Sequence, residues 1–380
     1  MMMVFEHETD FSFQTLKRDY NAVMSTQNRY DRQRILSEIG TAGQTKISEA
    51  SVLCIGAGGL GCPALLYLAA AGVGRIGIVD FDVVEETNLQ RQVLFDTSQI
   101  GQNKAQAAKA HTLSLNSEID IQVYAEELSD KNALTLFEKY DIIIDGTDNF
   151  PAKFLINDAA VKARKPFIYG SILGFDGQLA VFNHQGGPCY RCLFPEAPKT
   201  HIPNCAQAGV IGAVAGMIGT TQAMETIKII VDHESFKPLA GKFWTIDMRS
   251  MENKLLALPK NPDCPTCSKA KEDIILQYSS SVCGVIAEVT PQQAKDKQTA
   301  LLIDVREIDE WDAGHIEGAR HIALSALMRG DIPKLPKDCE IILYCQKGMR
   351  SLQAAHILKA HGCPNIMNMT GGYEAWLKCS

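Results

Sequence analysis

SVLCIGAGGLGCPALLYLAAAG, residues 51–72, decides the fold. A short β-rich apolar run ends on glycines, and an apolar helical stretch follows at once. Gly56, Gly58 and Gly61 stand in G-x-G-x-x-G order between them. In such a turn the first glycine permits a tight bend and the second lets a phosphate approach the backbone, while the helix N-terminus attracts the anion. The motif alone is weak. RIGIVD (75–80) strengthens it by ending on Asp80, about 20 residues on, where a strand-end carboxylate can accept hydrogen bonds from ribose hydroxyls.

Outward from this stretch, β-rich runs alternate with helical ones: NKAQAAKAHTLSLN leads to IDIQVYAEE, and YDIIIDGTD leads to PAKFLINDAAVKARK and PFIYGSI. Strands separated by helices of this length imply βαβ units and a mainly parallel sheet. GFDGQLAVFNH suggests a hairpin, and the order is then hard to read up to about residue 275. A second α/β series begins near residue 285, after the serine-containing QYSSSVCG (277–284), which reads as a linker.

The apolar stretch 208–231 holds Gly212 and Gly216 at G-x-x-x-G spacing, but Thr220, Thr221, Gln222, Glu225 and Lys228 interrupt it. A buried helix with small residues at a close contact is expected there, and no membrane span. The 380 residues favour two domains, and 46% hydrophobic with 21% charged content is ordinary for a soluble globular protein. With 44 acidic and 37 basic residues, net −7, the chain has no electrostatic footprint for nucleic acid. Its N-terminus lacks a basic n-region and an apolar h-region, so a cytoplasmic location is expected. There, twelve cysteines point to metal ligation and catalysis rather than to disulfides.

Beyond Asp80, TNLQRQ supplies Asn88, Arg91 and Gln92, GQNKAQ supplies Lys104, and DGTDN places Asp145, Asp148 and Asn149 just past a strand. The glycine turn by itself also suits a dehydrogenase-type dinucleotide fold, and Arg91 or Lys104 in isolation suits solvated surface charge. Cations and a carboxylate able to bind metal, grouped beside a nucleotide, fit a triphosphate better than a nicotinamide. No G-x-x-x-x-G-K-[ST] occurs, so a P-loop ATPase has no support.

RYDRQ (29–33), GAGGLG, VDFD, TNLQRQ, GQNKA, GTDN, PCYRC, NCAQAGV and CPTC occur in the order found in the MoeB/ThiF family, which this part of the chain resembles. The family adenylates the C-terminus of small ubiquitin-like proteins. The resemblance implies a Rossmann-like, mainly parallel adenylation domain with a zinc-binding subregion over 21–276, after an N-terminal extension at 1–20. It implies ATP and Mg²⁺ at Gly56, Gly58, Gly59, Asp80, Asn88, Arg91, Lys104, Asp148 and Asn149, with Asp80 on the ribose and Asp148 on magnesium. Arg32 is expected to reach the triphosphate from the neighbouring subunit of a homodimer.

Cys189 with Cys192 and Cys264 with Cys267 form two C-x-x-C pairs, which could be one four-thiolate Zn²⁺ shell or a set of buried or redox-active thiols. The same resemblance implies that both pairs ligate one structural zinc. Cys205 is either an unreactive loop thiol or the residue that links covalently to the carrier.

YCQKGMRS (344–351) sets Cys345 at the end of a strand, in a loop leading to a helix, with Lys347 and Arg350 beside it. Backbone N–H groups and the helix dipole can stabilise a thiolate there. LIDVRE, AGHIEGARHI, YCQKGMRS and GGYEAW resemble the rhodanese family, implying a small α/β domain over 285–380 and a persulfide on Cys345. Related phosphatases use a loop one residue longer.

The two resemblances together imply an adenylyltransferase and sulfurtransferase. It would convert the Gly-Gly terminus of a small sulfur carrier of the MoaD/ThiS type into a thiocarboxylate, fed by a donor such as a cysteine desulfurase. Molybdopterin assembly is the expected setting, with thiamine thiazole, cysteine synthesis and tRNA thiolation as alternatives, and a docking module with only rhodanese activity as a rival of another class. Purified protein is expected to hold about one zinc per chain by elemental analysis; folded protein without zinc would refute the four-thiolate assignment.

Overall fold

The computed structural model describes residues 29–196, 209–276, 286–297, 299–336, 338–363 and 365–379. The expected extension 1–20, the linker 277–284 and Cys205 lie outside the described residues. The chain divides into two compact units, one built on an eight-stranded sheet and one on a five-stranded sheet.

The first sheet runs β3-β2-β1-β4-β5-β6-β7-β8, where β1 is Ser51–Ile55, β2 Arg75–Val79, β3 Asp120–Tyr124, β4 Ile142–Asp145, β5 Phe167–Leu173, β6 Asp176–Phe182, β7 Lys242–Asp247 and β8 Glu252–Ala257. β1 to β5 pair in parallel, and β5 to β8 in antiparallel register. β1 is buried from Val52 to Ile55, which is why it reads as a continuous apolar run rather than an alternating one. The expected hairpin is β5–β6, with Leu173 opposite Asp176. The stretch that resisted reading contains β7 and the edge strand β8, an antiparallel pair joined through Met251 at positive φ.

Chain order reverses between β1 and β4, and ligands of open α/β sheets bind at such a switch point, beyond the strands' carboxyl ends. Two turns meet there. Gly56, at φ +91°, has room for a Cβ only 3.0 Å from the Gly146 carbonyl oxygen, and a Cβ on Gly61 would lie 1.9 Å from the Gly56 oxygen. The helix Gly61–Ala71 therefore starts against the turn that precedes it.

The helix Gly212–Val231 confirms the expected small-residue contact, with one correction. Gly212 packs on the Gln90 carbonyl and Gly219 on that of Leu60, whereas Gly216 has open space around its Cα. The close contact thus uses seven-residue spacing, two helical turns apart, on one face. No helix among the described residues is long and apolar enough to cross a membrane.

The second sheet runs β11-β10-β12-β13-β9, all parallel, with β9 Ala287–Val289, β10 Leu301–Asp304, β11 Arg320–His321, β12 Ile341–Tyr344 and β13 Ile366–Met369. β12 is central and wholly buried, and it delivers Cys345 at its carboxyl end. The helix Met349–Ala360 begins inside the motif, two residues earlier than the SLQAAHILKAHG pattern suggests.

Gly61→Ala should test the steric constraint directly. Helix propensity favours alanine by about 1 kcal/mol, but the clash with the Gly56 carbonyl should outweigh it and cost more than about 3 kcal/mol. A thermal melt equal to or above that of the unmutated protein would contradict the packing described.

Candidate functional site

At the switch point, Asp80 ties the glycine turn to the end of β2. Its Oδ2 accepts the Ala57 N–H at 2.7 Å and its Oδ1 the Asp82 N–H at 2.9 Å. Burial pushes the Asp80 carboxyl above its ordinary range, against the Ala57 hydrogen bond and the nearby Lys104 charge. The helix Lys104–Leu115 is sewn to the same loop. Asn103 donates to the Asp80 and Asp82 carbonyls, and the Lys104 ammonium, buried, meets Asp82 Oδ2 at 3.0 Å. Asp82 is the partner that reading the sequence missed, although it stands in the quoted VDFD; charge alternation at a strand end was the available signal.

Asn88 is buried and closes a capping box with Glu85, its Oδ1 accepting the Glu85 N–H at 3.2 Å. Arg91 lays its stem on the turn, Cγ and Cδ each 3.5 Å from where a Cβ on Gly59 would be, while Nη1 donates to the Thr87 carbonyl at 3.1 Å. Gln92 is buried with Oε1 lacking a hydrogen-bond partner, and its Nε2 lies 3.9 Å from the Cβ position of Gly58. An orphaned buried acceptor beside an open glycine turn fits a polar ligand such as a nucleotide.

Across the crevice, Asp145 Oδ1 accepts the Thr147 N–H at 3.0 Å and hydroxyl at 2.7 Å. Asp148 follows, exposed at the end of β4. Asn149 commits its Oδ1 to the Ala152 N–H at 2.9 Å, a helix-capping bond. The structure thus gathers Gly56, Gly58, Gly59, Asp80, Arg91 and Lys104 about one turn. Arg32 is not among them. Its neighbour Gln33 donates to Ala71 O at 3.0 Å, and Tyr30 packs on Gly72, so both anchor at the far end of the helix Gly61–Ala71. That helix is about 16 Å long at 1.5 Å per residue, which sets exposed Arg32 well away from its own chain's turn.

The four expected metal ligands do converge. Cys189, Cys192, Cys264 and Cys267 hold their Sγ atoms within 4.8 Å of one another, with Cys189–Cys264 and Cys192–Cys267 at 3.5 Å and Cys192–Cys189 at 4.0 Å. Tetrahedral zinc with Zn–S of about 2.3 Å needs S···S of about 3.8 Å, so the set fits that ion. As thiols, burial pushes Cys189 upward and Cys267 up to about 12, and a cation would relieve both.

Behind the thiols lies a clamp that the sequence did not disclose. Asp158, on the helix Phe150–Ala163, accepts two bonds from Arg191 at 2.8 and 2.7 Å and one from the Thr266 hydroxyl at 3.0 Å. Arg191 lies between the first pair of cysteines and Thr266 between the second. Adjacent Asn157 accepts the Tyr190 N–H at 2.7 Å, and the two residues are joined by a 2.9 Å bond.

In the second unit Cys345 is 2% exposed. The Gly348 N–H donates to its Sγ at 3.1 Å, and the buried Ser351 hydroxyl lies 3.5 Å away at the start of the helix. GGYEAW grips the loop: Tyr373 and Glu374 N–H groups donate to the Cys345 and Gln346 carbonyls at 2.8 and 3.2 Å. LIDVRE does so from the other side. Arg306, paired in the core with Asp304, stacks on Tyr373 and donates to Gln346 Oε1 at 3.3 Å. Arg350 has a second partner. Its guanidinium lies near the Cys345 sulfur as expected, but both its terminal nitrogens also bind Glu310, at 2.6 Å each, a partner the loop sequence does not show.

The ThiF family profile matches residues 30–266, and a rhodanese-like domain profile matches residues 290–379. The chain belongs to the ThiF family. In this ThiF-family chain the matched span contains the glycine turn and all four clustered cysteines, and the rhodanese-like span contains Cys345. The chain is 40% identical over 370 residues to a probable adenylyltransferase/sulfurtransferase MoeZ of Mycobacterium tuberculosis, covering 92% of each chain. It is 38% identical over 406 residues to the adenylyltransferase and sulfurtransferase MOCS3 of Anopheles gambiae, covering 96% of this chain and 91% of that one. Among solved structures, E. coli MccB with ATP superposes with a TM-score of 0.58 at 25% identity, covering 68% of this chain and 80% of that one.

Asp158→Asn should loosen the metal set without removing a ligand. Competition with a chromophoric chelator should show zinc held about tenfold to a hundredfold less tightly; unchanged retention would deny the clamp a role.

Proposed function

We propose that the protein is an adenylyltransferase and sulfurtransferase that activates the C-terminal glycine of a small ubiquitin-like sulfur carrier and converts it to a thiocarboxylate. One observation carries this reading. A single chain, aligned over nearly its full length with relatives bearing both activity names, has a phosphate-suited glycine turn and a thiol seated on a strand-end loop.

ATP, as substrate, would lie with its phosphates along the Gly56–Gly61 turn and its ribose at Asp80, whose carboxylate already orients that turn. The incoming carboxylate is ionised, so no general base is needed; positioning and neutralisation of the departing pyrophosphate must supply the rate. Arg91 and Lys104 are the cations for that task. Lys104 must exchange its Asp82 contact, or share it, as phosphate arrives. Asn88, buried in its capping box, would fix the segment that carries Arg91. Asp148 would hold Mg²⁺, which takes one or two carboxylates together with substrate phosphates, and Asn149 would fix the helix beside it. Arg32, remote from its own turn, suits the crevice of a partner copy, so a homodimer is the active form. The four clustered cysteines would hold Zn²⁺ in a closed structural shell with no open position for chemistry.

In the second step the Cys345 persulfide attacks the activated acyl carbon; a C–S bond forms and AMP departs with the C–O electrons. Cleavage of the resulting acyl disulfide by a second thiol, for which Cys205 is the candidate, releases the thiocarboxylate and leaves a disulfide for reduction. The sulfur arrives from a donor such as a cysteine desulfurase, and molybdopterin assembly is the proposed destination.

ATP–pyrophosphate exchange should appear only when a Gly-Gly-ending carrier is added, and the carrier that supports it names the pathway. No exchange with any carrier of this class would sink the adenylation reading. Cys345→Ala should abolish sulfur transfer and keep exchange. An Arg32→Ala protein mixed with an Asp80→Ala protein should recover up to about one quarter of the exchange activity, if subunits redistribute at random and one competent crevice per mixed dimer suffices. No recovery would place Arg32 in its own subunit's reaction or outside it.

A further inference from the structure

Charge around Cys345 is arranged in a way that sulfur transfer alone does not require. The loop offers two cations, Lys347 and Arg350. Lys347 is exposed, while Arg350 gives Nη1 to Glu310 Oε2 and Nη2 to Glu310 Oε1 in a fork-to-fork pair. Glu310 is itself held in place. It closes the capping box at the start of the helix Ile308–Asp312, accepting the Glu307 N–H at 3.3 Å. The neighbouring Glu307 accepts the Glu310 N–H in the same box and the Ser325 hydroxyl at 2.7 Å. Arg350 is raised above its ordinary value by Glu310 first and by nearby Cys345 as well, so one guanidinium serves both the carboxylate and the sulfur.

Sulfane donors differ in charge. Thiosulfate is a dianion: the Cys345 thiolate attacks its outer sulfur, the new S–S bond forms, and sulfite leaves with the electron pair of the old one. An organic persulfide carries one charge at most at its sulfur: the same attack gives the same Cys345 persulfide, and a single thiolate leaves. Two free cations at the loop would favour the dianion, but pairing Arg350 with a fixed carboxylate cancels its charge and leaves exposed Lys347 as the loop's remaining cation, so the pull on a dianion is weakened.

We propose that Glu310 is a specificity-determining residue that, by holding Arg350, sets the Cys345 loop to draw sulfur from persulfides rather than from thiosulfate-type dianions. The inference rests on the sulfur-transfer reading and adds to it the residue that sets the preference for a thiol-borne sulfur. Glu310 acts through Arg350 and touches no reacting atom, so it is a positioning residue.

The test uses the full-length protein with thiosulfate and N-acetylcysteinamide persulfide as alternative donors. Formation of the Cys345 persulfide is followed by mass spectrometry across donor concentrations. Glu310→Gln should shift the ratio of the two donors' efficiencies toward thiosulfate by about tenfold, through the half-saturating concentration rather than the maximum rate. Adding Arg350→Ala to that variant should erase the gain, and Glu310→Asp should restore the original preference. The proposal is overturned if Gln and Asp act alike, as a purely structural role predicts, or if the ratio does not move. Absence of a Cys345 persulfide with either donor in the unmutated protein would instead overturn the sulfur-transfer reading, and this inference with it.

Discussion

Two peptide backbones touch at the centre of the first unit, and the rest of the nucleotide crevice is arranged around that contact. The Gly56 carbonyl faces Gly61 and Gly146 so closely that a methyl group on either would overlap it. Because β1 and β4 are neighbours on which the chain order reverses, their outgoing turns must share one small volume. Glycine at both turns is what lets them do so, and the helix that follows can then present its N-terminus to an anion.

A second economy recurs in both units. Asp80, Asp145, Asp247 and Asp304 each stand at a strand's carboxyl end and accept the backbone N–H of the residue two places on, at 2.9 to 3.0 Å. The side chain thus replaces a backbone turn and bends the chain away from the sheet at the edge where ligands bind. At Asp80 and Asp304 the same carboxylate also meets the glycine turn or the Arg306 guanidinium. An acid that shapes the loop and an acid that organises the site are one residue.

Much of this was legible in the sequence because it depends on short-range chemistry. Continuous apolar runs marked the parallel strands, and the glycine turn, the two C-x-x-C pairs and the strand-end Cys345 were each visible as local words. What stayed hidden required residues far apart in the chain to meet. Asp158 reads as an unremarkable helical acid until Arg191 and Thr266 are seen on it. The Glu310 carboxylate, forty residues before Arg350, changes what that arginine can do. β7 and β8 were lost for another reason: β8 is exposed along its whole length, so it has no buried face to impose alternation.

The Asp158 clamp has a thermodynamic side. Residues 193–263 separate the two cysteine knuckles, and drawing the ends of so long a segment together carries an entropic penalty that grows with the logarithm of its length. A carboxylate that grips both knuckles offsets part of that penalty within the fold of the first unit, through hydrogen bonds that themselves need no ion. An ion taken up by the four thiols would therefore meet two knuckles that protein hydrogen bonds already help to hold together.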